Sequence, residues 1–299
     1  MRLPVPYIVE KGDRHPPPGR TSEQIEAPAA SQRRYPSPRE LDQHLSDTLT
    51  LVPAVVGAGR LGTLLVRELA RAGDDVRGPL GRDYDAADVA GAGIVLLCVP
   101  DREIAVAAAT LAERADEAPI VGHCSGAIGL EPLRPFADAF SLHPLMTFAA
   151  NGHAPSLSGA TAAIDASSPA ARAAASELAA ELGLAPVEIA PADRALYHAA
   201  ASVASNFLVT LEAAAERLAA AAGLERAALV PLVRQTVENW ARDGRAALTG
   251  PIARGDEDTV ARQRDAVAAA APDLVAMFDA LAEATRGGCV GPSPMTEHR

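Results

Sequence analysis

The sequence predicts an α/β domain, a parallel sheet wound by helices on both faces, followed by an all-α domain. Three observations carry this. Short apolar runs alternate with helix-length amphipathic segments between Leu51 and Ile189. A glycine-rich turn joins the first run to the first helix. No strand pattern recurs from Arg194 to Gly287, where alanine-rich segments dominate. Strands alternating with helices of this length form a parallel sheet, because each crossover lays its helix over one face.

Residues 1–48 come first and differ from the rest. His15 to Arg20 is proline-rich and Ser31 to Pro36 is polar and basic. So little apolar surface cannot offset the entropy of ordering, so a disordered leader is expected. Leu51 to Val56 reads as a buried strand, Gly57 to Gly62 as a turn, and Leu61 to Ala72 as a helix closed by Gly73. Leu61, Leu64, Leu65, Leu69 and Ala72 give that helix its spacing. A weaker strand covers Asp75 to Leu80, and Ile94 to Val99 is the strongest strand in the chain. Asp101 is placed to cap a helix over Arg102 to Ala115. Pro119 to Gly122 and Ala139 to Leu142 are further strands. Strand Ala160 to Ile164, helix Pro169 to Leu182 and strand Pro186 to Ile189 complete the pattern. The expected domains are therefore 49–190 and 191–287, with a flexible tail over 288–299.

Composition narrows the function classes. The formal net charge is -11 over 299 residues, which argues against a general nucleic-acid binder. Cys98, Cys124 and Cys289 are odd in number and far apart, so they form no disulfide framework and no zinc ribbon. No apolar run has the length of a membrane span, and the expectation is a cytoplasmic protein in a reducing compartment. No close histidine or cysteine spacing suggests a metal.

Gly57-Ala58-Gly59-Arg60-Leu61-Gly62 matches G-x-G-x-x-G in the context that gives the pattern meaning, after an apolar strand and opening a helix. Gly57 permits the tight turn, Gly59 lets backbone approach a pyrophosphate, and Gly62 lets helix pack on strand. Amides at the start of the helix, at Arg60 and Leu61, then meet the phosphates. This predicts a Rossmann dinucleotide site. An NAD site places an acid at the end of the second strand; here Val76 to Arg82 carries none. Arg82, ahead of Arg77, is the candidate for a 2′-phosphate, so NADP is favoured with NAD possible. Ligands of such sheets lie beyond the strands' carboxyl ends. Val99-Pro100, Ser125 and His143 are expected to converge there, with Val99, Pro100 and Ser125 near the nicotinamide.

The chain resembles the bacterial Rossmann-like oxidoreductases with a C-terminal helical domain of unknown function, distantly similar to pyrroline-5-carboxylate reductase, prephenate dehydrogenase and 6-phosphogluconate dehydrogenase. The resemblance rests on Val56 to Gly62, Leu97 to Asp101, His123 to Gly126, Leu142 to Phe148, Tyr197 to Asn206 and Leu248 to Asp256. It implies fold and cofactor class, not a substrate. One departure stands out. The hydroxyacid and 6-phosphogluconate dehydrogenases carry a lysine four residues before an asparagine on the long helix. Here Ser202 precedes Asn206, and the only lysine in the chain is Lys11. The proton must come from another group.

On that helix His198, Ser202, Ser205 and Asn206 fall at helical spacing and are expected to share a face. The expectation is an NADP-dependent oxidoreductase acting on a small, anionic substrate. His143 and His198 would transfer protons, Asn206 would orient the substrate, and one histidine would titrate near the working pH. Tyr197 is a further possible proton donor. Arg254, on the Gly250-Pro251 turn, is a candidate for a substrate carboxylate. The apolar helices, with Trp240, suggest a homodimer. The alternatives are a dinucleotide-binding sensor or regulatory protein without turnover, and a scaffold with a vestigial site.

Overall fold

The computed structural model describes residues 52–115, 119–148 and 156–287. The expected leader and the tail lie outside the described residues.

The sheet has seven strands in the order β2-β1-β3-β4-β5-β6-β7. They are β1 Pro53–Val56, β2 Arg77–Leu80, β3 Ile94–Leu97, β4 Ile120–His123, β5 Ala139–Pro144, β6 Thr161–Ala166 and β7 Ala185–Glu188. Every residue of β1 and of β3 is buried. That explains why these strands read as continuous apolar runs: both faces are covered, so no polar alternation survives. All neighbouring pairs are parallel except β5 and β6. The sheet is the expected parallel one, with a single antiparallel pair toward one edge. A parallel return needs a crossover element, and the described residues between β5 and β6 contain no helix.

Helices α1 Arg60–Ala72, α2 Ala86–Val89, α3 Ile104–Arg114 and α4 Pro169–Glu181 belong to the sheet half. They pack against two apolar clusters. One gathers Leu64, Leu65, Leu69, Leu96, Phe140 and Leu178; the other gathers Val56, Val95, Leu97, Ile104, Leu111 and Leu133. Gly73 ends α1 in the left-handed region at φ 102°, a conformation that favours glycine. Ser168 caps α4 by accepting from the Ala171 amide. Asp101 does not cap the helix after β3. The chain leaving Pro100 first makes a 3-10 turn over Asp101–Glu103, α3 starts only at Ile104, and no side chain caps it.

The helical half holds α5 Arg194–Ser202, α6 Leu208–Ala221, α7 Arg226–Asp243, α8 Glu257–Ala270 and α9 Val275–Arg286. A π-turn over Val203–Phe207 separates α5 from α6. Its flanking residues Ser202 and Leu208 keep helical dihedrals, so it widens the helix locally without ending it. No helix among the described residues is long and apolar enough to cross a membrane.

Candidate functional site

The strand order reverses direction between β1 and β3, since β2 lies on one side of β1 and all later strands on the other. A crevice opens beyond the carboxyl ends of strands at such a switch point. A cleft of about 570 Å³ lies there, lined by Val56 to Gly59, Leu80 to Arg82, and Cys98 to Pro100. Tyr84, Glu103, Val106, Ala107 and Thr110 complete it. Its size falls within the range of roughly 300–1,000 Å³ common for small-molecule sites.

The glycines of the turn divide the work. Gly57 has φ 121°, and a Cβ there would lie 2.3 Å from the Cys98 carbonyl oxygen. A Cβ on Gly62 would lie 2.0 Å from the Gly57 carbonyl oxygen. Both positions are closed to any side chain. Gly59 faces open space, with no atom within 4 Å of an added Cβ. It is also the N-cap of α1, makes no side-chain cap, and no acid occupies the first turn. The first amides of α1 are thus left for an anion, with no acid of the helix's own first turn competing. The turn, the open ledge and the bare helix end fit a diphosphate bridge.

The other cofactor candidates scatter around this centre. Val99 and Pro100 form part of the wall. Leu61 packs on the apolar cluster below. Arg60 points across to donate to the Phe148 carbonyl at 2.7 Å, tying the turn to the segment after β5. Arg82 lies on the rim, 84% exposed, with Nη2 at 2.8 Å from a Glu103 oxygen. Such an exposed pair is weak, about 0–1 kcal/mol, so a phosphate can displace the carboxylate. Arg77 is turned elsewhere and donates to the Ala90 carbonyl.

Two strands away from β3, the end of β5 carries His143. It lies inside the strand, not after it. Its Nδ1 is 2.6 Å from the Tyr197 hydroxyl of α5. The His198 ring centroid is 6.3 Å from that of His143. A Cβ on Gly126 would meet the His143 ring at 2.8 Å, so only glycine leaves the ring its place. Burial, then the His198 and Arg194 charges, pull the His143 pKa from 6.5 to about 4. At neutral pH His143 is therefore an uncharged imidazole, and it is not the histidine that titrates near the working pH. Burial also pushes the Tyr197 phenol up.

His123 has a different use. Its Nε2 bonds the Gly129 carbonyl at 2.9 Å, and its Nδ1 accepts from the Ser125 amide at 3.2 Å. Fully buried, with burial the main cause of its lowered pKa, it staples its own loop. Ser125 is buried, and its Oγ accepts from the amides of Ala127 and Ile128. It caps a turn and keeps one hydroxyl hydrogen to donate.

Arg194 went unmarked in the sequence and organises the edge. It is 5% exposed. Its Nη2 donates to Ser141 Oγ at 2.9 Å and to Asp165 at 3.2 Å. Ser141 and Asp165 are partners across the β5–β6 pair. The guanidinium therefore pins the first turn of α5 to the sheet, and Tyr197, three residues on, meets His143. The predicted polar stripe is only half realised. His198, Ser202 and Ser205 are half-buried, but Asn206 is exposed. The π-turn inserts a wider turn before it, which rotates it off the face set by His198.

Residues 82–147 match the model of a Rossmann-like domain, and residues 160–285 match that of a domain of unknown function, DUF2520. No curated protein matches the chain. Among solved structures, a Bacteroides fragilis protein named as a candidate NADP oxidoreductase is 22% identical, with a TM-score of 0.68 over 80% of this chain and 99% of its own. A Thermotoga maritima protein is 22% identical, with a TM-score of 0.62 over 79% of this chain and 97% of its own. A Streptomyces aurantiacus imine reductase is 17% identical, with a TM-score of 0.58 over 80% and 94%. Pyrroline-5-carboxylate reductases and a prephenate dehydrogenase lie further off. These likenesses show the fold. The chain carries a Rossmann-like domain followed by a domain of the DUF2520 family.

Proposed function

We propose that the chain is an NADP-dependent oxidoreductase acting on a small molecule held between the β5 edge and α5. The observation that carries this is the glycine turn at the switch point, closed at Gly57 and Gly62 and open at Gly59. Its neighbours in structure include a protein named for NADP oxidoreduction and an imine reductase. The dinucleotide, when bound, supplies or accepts the hydride. Gly57 to Gly62 and the first amides of α1 would hold its diphosphate, Val99 and Pro100 would line the wall beside its reactive end, and Arg82 would select the 2′-phosphate.

The chain's own part is to move a proton and orient the substrate. We take the neutral His143 tautomer in which the Tyr197 hydroxyl donates to Nδ1, which leaves Nε2–H free to face the substrate. Proton transfer to substrate from Nε2 draws the Tyr197 proton after it. His198 stands beside this pair as the solvent-side proton source. Ser125 can give its remaining hydrogen to the same substrate. Asn206 is a weaker member, since its position at the π-turn faces outward. We keep the substrate as small and anionic; Arg254, exposed on its turn, is the candidate counter-charge. A second copy of the chain covers α7 and its apolar neighbours, making a homodimer.

NADPH titration tests the reading directly. The wild type binds NADPH, and Arg82→Ala loses about tenfold in NADPH affinity with little change for NADH, by the loss of one charged phosphate contact. Against a panel of imines and keto acids, Tyr197→Phe and His143→Ala lower kcat by about 10²–10⁴, the usual worth of a proton-transfer group. The low basicity of His143 also favours a sensor without turnover. NADPH binding with no oxidation on any substrate would select that second reading, and no binding at all would remove both.

A further inference from the structure

We propose that Cys98 and Cys124 form a peroxide-reactive dithiol whose conversion to a disulfide weakens dinucleotide binding in the adjoining cleft. The second part rests on the cleft being a dinucleotide site; the first does not.

Cys98 follows β3 and Cys124 follows β4. Leu97 and His123 are partners across that parallel pair, so the next residue of each strand lies side by side with the other. The two sulfurs are 3.7 Å apart. Neighbouring strands lie about 4.8 Å apart, and a disulfide accepts Cα separations of about 4.4–6.8 Å. Cys98 is partly buried and lines the cleft; Cys124 is buried. The roles differ accordingly. Peroxide reaches Cys98 from the cleft, and Cys124 resolves from behind. The contact with Cys98 and then burial hold the Cys124 thiol protonated, which also keeps it from reacting first.

The chemistry balances with hydrogen peroxide as the oxidant. The Cys98 sulfur attacks one peroxide oxygen, the O–O bond breaks, and water leaves, giving a sulfenic acid. The Cys124 sulfur then attacks the Cys98 sulfur, the S–O bond breaks, and a second water leaves with the Cys124 proton. Two thiols are oxidised and one peroxide is reduced to two waters. A small dithiol reverses the bond by exchange.

Coupling to the cleft follows from how tightly Cys98 is held. Its amide donates to the Val56 carbonyl at 2.7 Å. Its carbonyl oxygen fills the place where a Gly57 side chain would be, and its Cβ lies 3.2 Å from where a Gly62 Cβ would be. Closing the sulfurs to about 2.05 Å draws Cys98 toward β4. The glycine turn that packs on Cys98 must follow, and the open ledge at Gly59 moves with it.

The test uses the full chain with Cys289→Ser, so that two thiols remain. One equivalent of hydrogen peroxide should remove both thiols together, join the Cys98 and Cys124 peptides in the mass spectrum, and be reversed by dithiothreitol. NADPH affinity should fall about tenfold in the oxidised protein, and bound NADPH should slow the oxidation. Cys124→Ser should stop at a trappable sulfenic acid on Cys98 and still bind NADPH. Thiols that persist, or that oxidise singly without a joined peptide, overturn the dithiol whatever the cleft binds. A joined peptide with unchanged NADPH affinity overturns the coupling. A joined peptide in a chain that binds no NADPH even when reduced sinks the cleft reading and leaves the dithiol standing.

Discussion

The sheet half and the helical half spend their apolar residues differently. In the sheet half Leu65, Leu96, Leu111 and Phe140 have no exposed surface, and β1 and β3 bury every residue. In the helical half the longest helix, α7, buries none of its 18 residues. Trp240 on it is 64% exposed and Leu232 65%, and Phe207 and Val209 nearby are also exposed. Helical stability in proteins comes mostly from packing an apolar face. The sheet half closes its own core, and the helical half does not within one protomer. A symmetric second copy, presenting the same patch, is the proposed cover. The stability of the first half should then be independent of concentration, and that of the second tied to assembly.

The largest expected effects lie under the glycine turn and in the sheet core. Gly57→Ala puts a methyl into the Cys98 carbonyl at a left-handed φ, and should cost more than about 3 kcal/mol. Leu96→Ala should cost about 2–5 kcal/mol by leaving a cavity. Gly59→Ala, with open space above it, should unfold at nearly the wild-type denaturant concentration while binding NADPH more weakly. Equal destabilisation by Gly57→Ala and Gly59→Ala would break the assignment of one as structural and the other as ligand-facing.

Trp240→Glu probes the other half. In a dimer held by α7 it should leave the sheet core folded, lower the molar mass in solution toward that of one chain, and make any activity depend steeply on protein concentration. Circular dichroism with light scattering separates the two outcomes. If Trp240→Glu changes neither mass nor activity, α7 is covered by something other than a second copy.

These halves were also unequally legible. The glycine turn is six contiguous residues, so its chemistry is local and the sequence alone places it. The buried strands beside it announce themselves by uninterrupted apolar character. The β5–α5 edge is made by residues far apart in the chain: Ser141 and Arg194 are separated by 53 positions, and His143 and Tyr197 by 54. Histidines could be nominated from chemistry, but not the arginine that pins α5 to the sheet or the glycine that makes room for the His143 ring. The stripe through His198 to Asn206 assumed one helical period. A π-turn is set by packing and leaves no periodic trace. Likewise, β6 runs against β5 after a connection whose described residues hold no helix, and the strand pattern itself looks the same in either direction.

The edge has a pH signature that the glycine turn lacks. The ordinary histidine pKa of 6.5 falls to about 4 for His143 in the folded chain. Between those values the unfolded chain takes up a proton that folded His143 refuses, so protonation favours unfolding. Stability should be at its plateau above pH 6.5 and fall as pH drops toward 4. His123, also lowered, adds to the same slope. Urea midpoints at several pH values should show a flatter slope for His143→Gln than for wild type. An unchanged slope would mean that His143 is solvated and free to ionise.

The smallest effect is expected at Tyr84, on the wall of the cleft. Its hydroxyl is buried without a hydrogen-bond partner, while the Arg114 guanidinium stands 4.6 Å over the ring. Arg114 also donates to the Tyr84 carbonyl, a contact that does not need the hydroxyl. Burial raises the phenol's pKa, and the nearby Arg114 charge offsets only part of that rise. Tyr84→Phe removes a desolvated polar atom and keeps the ring contact. Thermal unfolding should therefore be unchanged or slightly raised, by up to about 1 kcal/mol. A loss of about 1–3 kcal/mol would mean that the hydroxyl has a partner after all. The sheet half would then depend, as the helical half does, on something beyond its own side chains.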